Sequence, residues 1–195
     1  VPKAWYATLS SFLLKHGYKR GTIDQTLFLK KDSKDIILVQ VYVDDIIFGS
    51  TRQDWSDEFK ALMQSQFEMS SMGHLTFFLG LQVDQRLDGI FIHQTKYVND
   101  ILHKFDMDTN KSAPIPFEPP KIKNKNLPDG PVNVCLYRSM IGSLMYLTAS
   151  PDITFAVSAC ARNQVSPTVS KMNAVEIIFK YIKGHPKLGI KGLNI

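Results

Sequence analysis

Val39-Gln40-Val41-Tyr42-Val43-Asp44-Asp45-Ile46-Ile47-Phe48-Gly49 sets two adjacent carboxylates between two apolar, β-branched runs, with no Gly or Pro to mark an ordinary solvent turn. Val39, Val41 and Val43 alternate with Gln40 and Tyr42, the period of a half-buried strand, and Ile46 to Phe48 reads as a second strand. The stretch predicts a hairpin with Asp44-Asp45 at its tip and both strands in the core. Two like charges near a low-dielectric core repel, and one takes up a proton unless a cation compensates both. A hard divalent ion that prefers oxygen ligands, such as Mg²⁺, meets that need. An acidic, solvated turn is the other reading of the same pair.

Outward from the hairpin, the 195 residues suffice for one domain or two small ones, with 44% hydrophobic and 21% charged residues, as in an ordinary globular protein. No apolar run approaches the roughly 20 residues that span a bilayer, and no signal-peptide pattern opens the sequence. Cys135 and Cys160 make neither a disulfide framework nor a zinc spacing, and no histidine has a ligand partner at a metal-binding interval. Charge is uneven. Residues 1–95 hold 10 Lys+Arg against 11 Asp+Glu, net −1, and residues 96–195 hold 13 against 7, net +6. Positive excess in one half suits a phosphate-backbone partner, and suits solvated helix faces equally.

Trp5, Leu9, Phe12 and Leu13 recur at helical spacing before Gly17, a C-terminal stop signal. Leu27 to Lys30 and Ile36 to Tyr42 read as strands joined by a polar turn. After Gly49, Asp54 is the expected cap of a helix striped by Trp55, Phe59, Leu62, Met63 and Phe67. Residues 75–83 and 89–93 predict a second hairpin, turned at Arg86-Leu87-Asp88-Gly89. Within it Gly80 reads as a strand bulge or as a point of close backbone approach. Tyr97, Ile101, Leu102 and Phe105 predict a helix. Residues 106–133, with six prolines among Lys121, Lys123 and Lys125, read as a linker. Three helical patterns follow: Leu136, Met140, Ile141, Leu144 and Leu147; then Ile153, Val157 and Cys160 behind Pro151; then Val175, Ile178, Phe179 and Ile182 before Gly184.

Tyr42-Val43-Asp44-Asp45 between hydrophobic strands resembles the catalytic hairpin of reverse transcriptases, and the surrounding sequence resembles the copia-type retrotransposon class. Pro2-Lys3-Ala4-Trp5-Tyr6, residues 72–82 (Met72-Gly73-His74-Leu75 through Gln82), residues 137–147 (Tyr137-Arg138-Ser139 through Leu147), Pro151-Asp152-Ile153 and Tyr181-Ile182-Lys183-Gly184 carry the match in order across nearly the whole chain. The resemblance implies an α+β fold: a reverse-transcriptase palm, an antiparallel sheet with a catalytic hairpin packed by helices, followed by a helical thumb or connection region. Its segments would be residues 1–93 (partial palm), 94–133 (thumb helix and linker) and 134–195 (thumb or connection).

The implied activity is RNA-directed DNA synthesis by nucleotidyl transfer with two Mg²⁺ or Mn²⁺ ions. Asp44 would be the main metal ligand of this hairpin and Asp45 an assisting one. Tyr42 would pack beneath the primer terminus or nucleotide, and Phe78, Leu79 and Gly80 would belong to a primer grip. Lys3, Arg138, Arg162, Lys180 and Lys183 are the expected contacts to nucleic-acid backbone. Implied partners are an RNA or DNA template with primer, deoxynucleoside triphosphates, and the rest of a Pol polyprotein with its fingers, integrase and ribonuclease H. Such an element works in a cytoplasmic virus-like particle, and no membrane is involved.

The match departs from the class at two places. Polymerases of this class use a third carboxylate, on a strand ahead of the helix that opens this sequence, and fingers that bind the triphosphate. Asp24 lies at a variable acidic turn and is not a substitute. Ser150 stands where the class usually has an Arg before Pro-Asp, which puts in doubt the start of the following helix and its grip on a duplex. These departures predict that the isolated chain does not polymerise. They leave open a catalytically dead relic that retains, at most, salt-dependent nucleic-acid binding.

Overall fold

The computed structural model describes residues 2–118 and 129–192. Of the expected linker, residues 119–128, with Lys121, Lys123 and Lys125, lie outside the described residues. The chain divides into two compact units, residues 1–74 and 75–195.

In the first unit, α1 (Pro2–Lys15) leads into β1 (Lys19–Arg20), β2 (Leu27–Lys31), β3 (Ile36–Tyr42), β4 (Asp45–Ser50) and α2 (Gln53–Gln66). The strands form an antiparallel sheet in sequence order. Helix α1 ends as its sequence requires: Gly17 takes φ +84°, Tyr18 N–H donates to Leu13 C=O and Gly17 N–H to Leu14 C=O. That is the two-bond closure a left-handed glycine makes possible. Leu9 and Leu13 of α1 meet Phe28, Ile37, Val39 and Val41 of the sheet and Phe59 and Met63 of α2 in one buried cluster. The inward phase of β3 is the one its alternation predicts. On its other face Leu38 and Tyr42 remain exposed.

Helix α2 corrects one expectation. Arg52, not Asp54, occupies its cap position, and no side chain caps it; Asp54 sits in the first turn, ion-paired with Arg52. An acid there still favours the positive end of the helix dipole.

The second unit begins with β5 (Phe77–Phe78), β6 (Leu81–Arg86) and β7 (Gly89–His93) and continues through α3 (Thr95–Lys104), α4 (Val134–Met145), a 3₁₀ turn (Pro151–Ile153), α5 (Thr154–Ala161) and α6 (Val169–Gly184) to β8 (Gly189–Gly192). β8 pairs with β7, so the expected palm segment 1–93 and the expected helical segment 134–195 share a four-stranded antiparallel sheet. The core is Val98, Ile101 and Leu102 of α3 packed with Ile141 and Leu144 of α4, Val157 of α5 and Val175, Ile178, Phe179 and Ile182 of α6.

The stripe expected for α4 holds at Met140, Ile141, Leu144 and Leu147, and only its first member differs. Leu136 is exposed, while Tyr137 is fully buried with its hydroxyl donating to Cys160 C=O at 2.8 Å. The physical reason is the start of the helix: the Asn133 side chain caps it by accepting from Leu136 N–H, which sets Tyr137, Ile141 and Leu144 on the inner face.

Ser150 is buried, and the turn that leads into α5 forms with Pro151 in its first position and Ile153 N–H bonded to Ser150 C=O. The turn starts without an Arg: Pro151 supplies the preset φ and needs no partner for a missing N–H.

Candidate active-site hairpin and nucleic-acid contacts

The acidic hairpin forms, with its tip one residue earlier than expected. Val39 pairs with Phe48, Val41 with Ile46 and Tyr42 with Asp45. The two-residue turn is therefore Val43-Asp44, and Asp45 opens β4 opposite Tyr42. The register keeps Val39 and Val41 beside Phe48 and Ile46 on the face that meets the helices, and a slip of one residue would turn that set outward.

Val43 takes φ +52°. In a two-residue hairpin, positive φ at the first central position is a glycine preference. For a β-branched residue it is strained by about 1–3 kcal/mol. Trp5 meets this turn from α1: its indole Nε1–H donates to Val43 C=O at 3.0 Å. The Trp5 ring is held edge-on to Phe67, with ring centres 5.1 Å apart.

Asp44 and Asp45 are both exposed. This corrects the premise that they sit near a low-dielectric core: water screens their repulsion, so the pair does not by itself demand a cation. They also lack protein partners, as does the exposed Glu68 of the same unit. Among the described residues none of these three carboxylates has a hydrogen bond or ion pair. Six other acids of the same unit are engaged. Asp24 accepts from Thr26, Asp32 from the Lys34 and Asp35 amides, and Asp35 from Thr51. Asp54 pairs with Arg52, Asp57 with Lys60 and Glu58 with Lys30. The Thr26 hydroxyl and amide hold the Asp24 carboxyl below its usual range. Asp24 thus serves its own loop, as its sequence position suggested.

Among the described residues no three His, Cys, Asp or Glu side chains form a metal-binding group. Asp44 and Asp45 supply hard oxygen donors of the right chemistry, and they fit a two-ion site only in part.

Phe78-Leu79-Gly80-Leu81 is a hairpin turn, neither bulge nor continuous strand. Phe78 pairs with Leu81, and Leu79 and Gly80 take φ +49° and +81°. Two successive positive φ values are the pattern of the tightest hairpin turn, which favours glycine. A side chain packs against it. Tyr146, just beyond α4, donates its hydroxyl to Leu79 C=O at 3.2 Å, and a Cβ added to Gly80 would lie 2.7 Å from that hydroxyl oxygen. Tyr146 also meets the Tyr97 ring edge-on, with ring centres 5.0 Å apart, and accepts at its C=O from the buried Gln94 side chain. The close approach at Gly80 is thus made by Tyr146.

The expected backbone-contacting cations differ in availability. Lys3 and Arg162 are exposed. Arg138 is exposed and donates from Nε to Gln164 C=O at 3.0 Å. Lys180 is 3.8 Å from Glu176, and Lys183 donates to Asn110 C=O, so both are partly engaged.

Trp5 and Tyr146 were missed as site-shaping residues. Trp5 reads in sequence as a core aromatic and Tyr146 as one member of a helical motif; a hydrogen bond to a distant carbonyl has no signal in spacing.

A family model described as reverse transcriptase (RNA-dependent DNA polymerase) matches residues 1–119, and the chain belongs to that family. Relatives within it include Pol polyproteins of copia-type transposons. The chain is 31% identical, over 97% of its length, to the retrovirus-related Pol polyprotein from transposon RE1 of Arabidopsis thaliana. It is 26% identical, over 94% of its length, to the corresponding polyprotein from transposon TNT 1-94 of Nicotiana tabacum. It spans 13% and 15% of those two proteins. An uncharacterized mitochondrial protein of Arabidopsis thaliana is 31% identical over 74% of this chain and 60% of its own length. No solved structure gives a significant match.

Proposed function

We propose that this chain is the part of a copia-type reverse transcriptase that carries the catalytic hairpin, with Asp44 and Asp45 as two of the carboxylates for RNA-directed DNA synthesis in the longer Pol polyprotein. The observation that carries the reading is a pair of adjacent, exposed, unpartnered carboxylates on a strained hairpin turn between two core strands. Divalent ions held by such carboxylates activate a 3′-hydroxyl and stabilise charge on the transferring phosphoryl group.

This chain's own residues orient the reactants. Asp44 is the main ligand and Asp45 assists; Tyr42, cross-strand from Asp45, offers its ring to the primer terminus or nucleotide. The Phe78-Leu79-Gly80 turn, braced by Tyr146, holds the primer strand. Lys3, Arg138, Arg162, Lys180 and Lys183 track the phosphates. A palm role for residues 1–93, a thumb or connection role for residues 94–195, and a partner set of template, primer, deoxynucleoside triphosphates and remaining polyprotein, belong to the same reading. So does cytoplasmic assembly in a virus-like particle.

A second reading, a catalytically inactive relic that only binds nucleic acid, is favoured by the lack of a third acid beside Asp44 and Asp45 among the described residues. Primer extension separates the two. The 195-residue chain alone is expected to extend no primer with Mg²⁺ or Mn²⁺. Joined to the rest of a Pol polyprotein it is expected to do so, with Asp44→Asn reducing nucleotide addition by at least about 10²-fold. Addition undiminished in Asp44→Asn would overturn the catalytic role.

A further inference from the structure

We propose that Trp5 is a positioning residue that locks the Val43-Asp44 turn in the conformation presenting Asp44 and Asp45. The catalytic purpose of that lock rests on the function proposed above. Three observations carry it. Val43 holds φ +52° without being glycine, in a hairpin whose register leaves only Val43 and Asp44 in the turn. A β-branched residue keeps such a backbone only where its surroundings over-determine it. Trp5 supplies the constraint: its indole N–H bonds the carbonyl of that residue across 38 positions of sequence.

The donor is itself held in place. Trp5 and Phe12 both pack edge-on against Phe67, each with ring centres 5.1 Å apart, and all three border the core formed by α1, the sheet and α2. A Val43 carbonyl bonded to Trp5 cannot rotate freely with its peptide plane, and that plane carries the Asp44 amide. The direction of the Asp44 side chain is therefore set by an aromatic residue on another element. A glycine at 43 would adopt the turn unaided and also leave it readily. Valine with a Trp anchor gives a turn with fewer accessible backbone states.

The lock is read on the chain itself by NMR. A residue with positive φ gives a strong intraresidue HN–Hα cross-peak, so Val43 is expected to show one in the wild type. Trp5→Phe keeps a ring against Phe67 and removes the donor; the Val43 cross-peak is expected to weaken or split while the unfolding midpoint stays close to wild type. In Trp5→Phe/Val43→Gly the turn is expected to return. Should Trp5→Phe fold poorly, the wild type alone decides: the Trp5 indole proton is expected to exchange at least about tenfold more slowly than that of Trp55. An unchanged Val43 cross-peak in Trp5→Phe, or equal exchange of the two indoles, would overturn the proposal.

In the longer polyprotein, Trp5→Phe is expected to lower the rate of nucleotide addition by about 10–100-fold with KM for primer–template unchanged, and Val43→Gly to restore part of the loss. A rise in KM with the rate intact would overturn the positioning role. Asp44→Asn tests the underlying function separately: if it adds nucleotides like the wild type, that function fails, while the Val43 cross-peak still decides whether Trp5 holds the turn.

Discussion

At Gly80 a single added atom matters. An added Cβ would meet the Tyr146 hydroxyl oxygen at 2.7 Å, at φ +81°, where side chains are strained in any case. Gly80→Ala is expected to destabilise the second unit by about 1–3 kcal/mol in urea denaturation, from backbone strain and overpacking together. Tyr146→Phe removes the hydroxyl nearest that Cβ, so the double variant is expected to lose less than the sum of the two single changes. Strict additivity would mean the two residues do not press on one another. The sequence shows Gly80 as a special backbone position but not what fills the space beside it. Likewise Val43 looks like an ordinary strand residue, because alternation reports burial and is silent on the sign of φ. Asp44 and Asp45 were legible as a pair from their apolar flanks; their exposure was not, because the pair sits at the end of the hairpin, beyond the buried residues of the strands.

Among the elements, α6 combines a fully buried face with an acid-sensitive contact at its N-terminal end. Val175, Ile178, Phe179 and Ile182 are fully or almost fully buried, as their spacing indicated, and Phe179→Ala is expected to cost about 3–5 kcal/mol. At the N-terminal end, Asp129 accepts from the Ser170 amide at 2.8 Å and from the Ser170 hydroxyl. These bonds, with a further one from Thr168, bring the Asp129 carboxyl down to about 2 from its ordinary 3.8. A carboxyl lowered on folding contributes stability that is present above the ordinary value and lost as pH falls through the lowered one. Unfolding followed between about pH 5 and pH 2 is expected to show an acid limb that Asp129→Asn flattens. An identical limb in the variant would mean other carboxylates carry it. Helices α1 to α6 were legible because each repeats apolar residues at helical spacing. β1 and β8 were not: Lys19-Arg20 and Gly189-Ile190-Lys191-Gly192 carry no alternation and become strands only through the partners they pair with.

For the whole molecule, charge gives a prediction the fold alone does not. With net +6 on residues 96–195, binding to a duplex is expected to weaken steeply with salt. Arg138 and Arg162 are exposed while Lys180 and Lys183 are partly engaged, so about two to four phosphates neutralised is reasonable, a log–log slope of about −2 to −4. An affinity flat across a salt titration would remove nucleic-acid binding through these cations. Family membership was legible because ordered sequence blocks run through both units. The pairing of residues 89–93 with 189–192 was not, since it joins strands about a hundred positions apart. The central claim, that Asp44 and Asp45 are ligands for divalent metal, is tested most directly by titrating Mn²⁺ into the isotope-labelled chain and following paramagnetic broadening residue by residue. Two exposed carboxylates predict weak, roughly millimolar binding, with broadening centred on residues 42–46 and abolished by Asp44→Asn. Broadening centred on other acids, with the amides of Asp44 and Asp45 untouched, would contradict it.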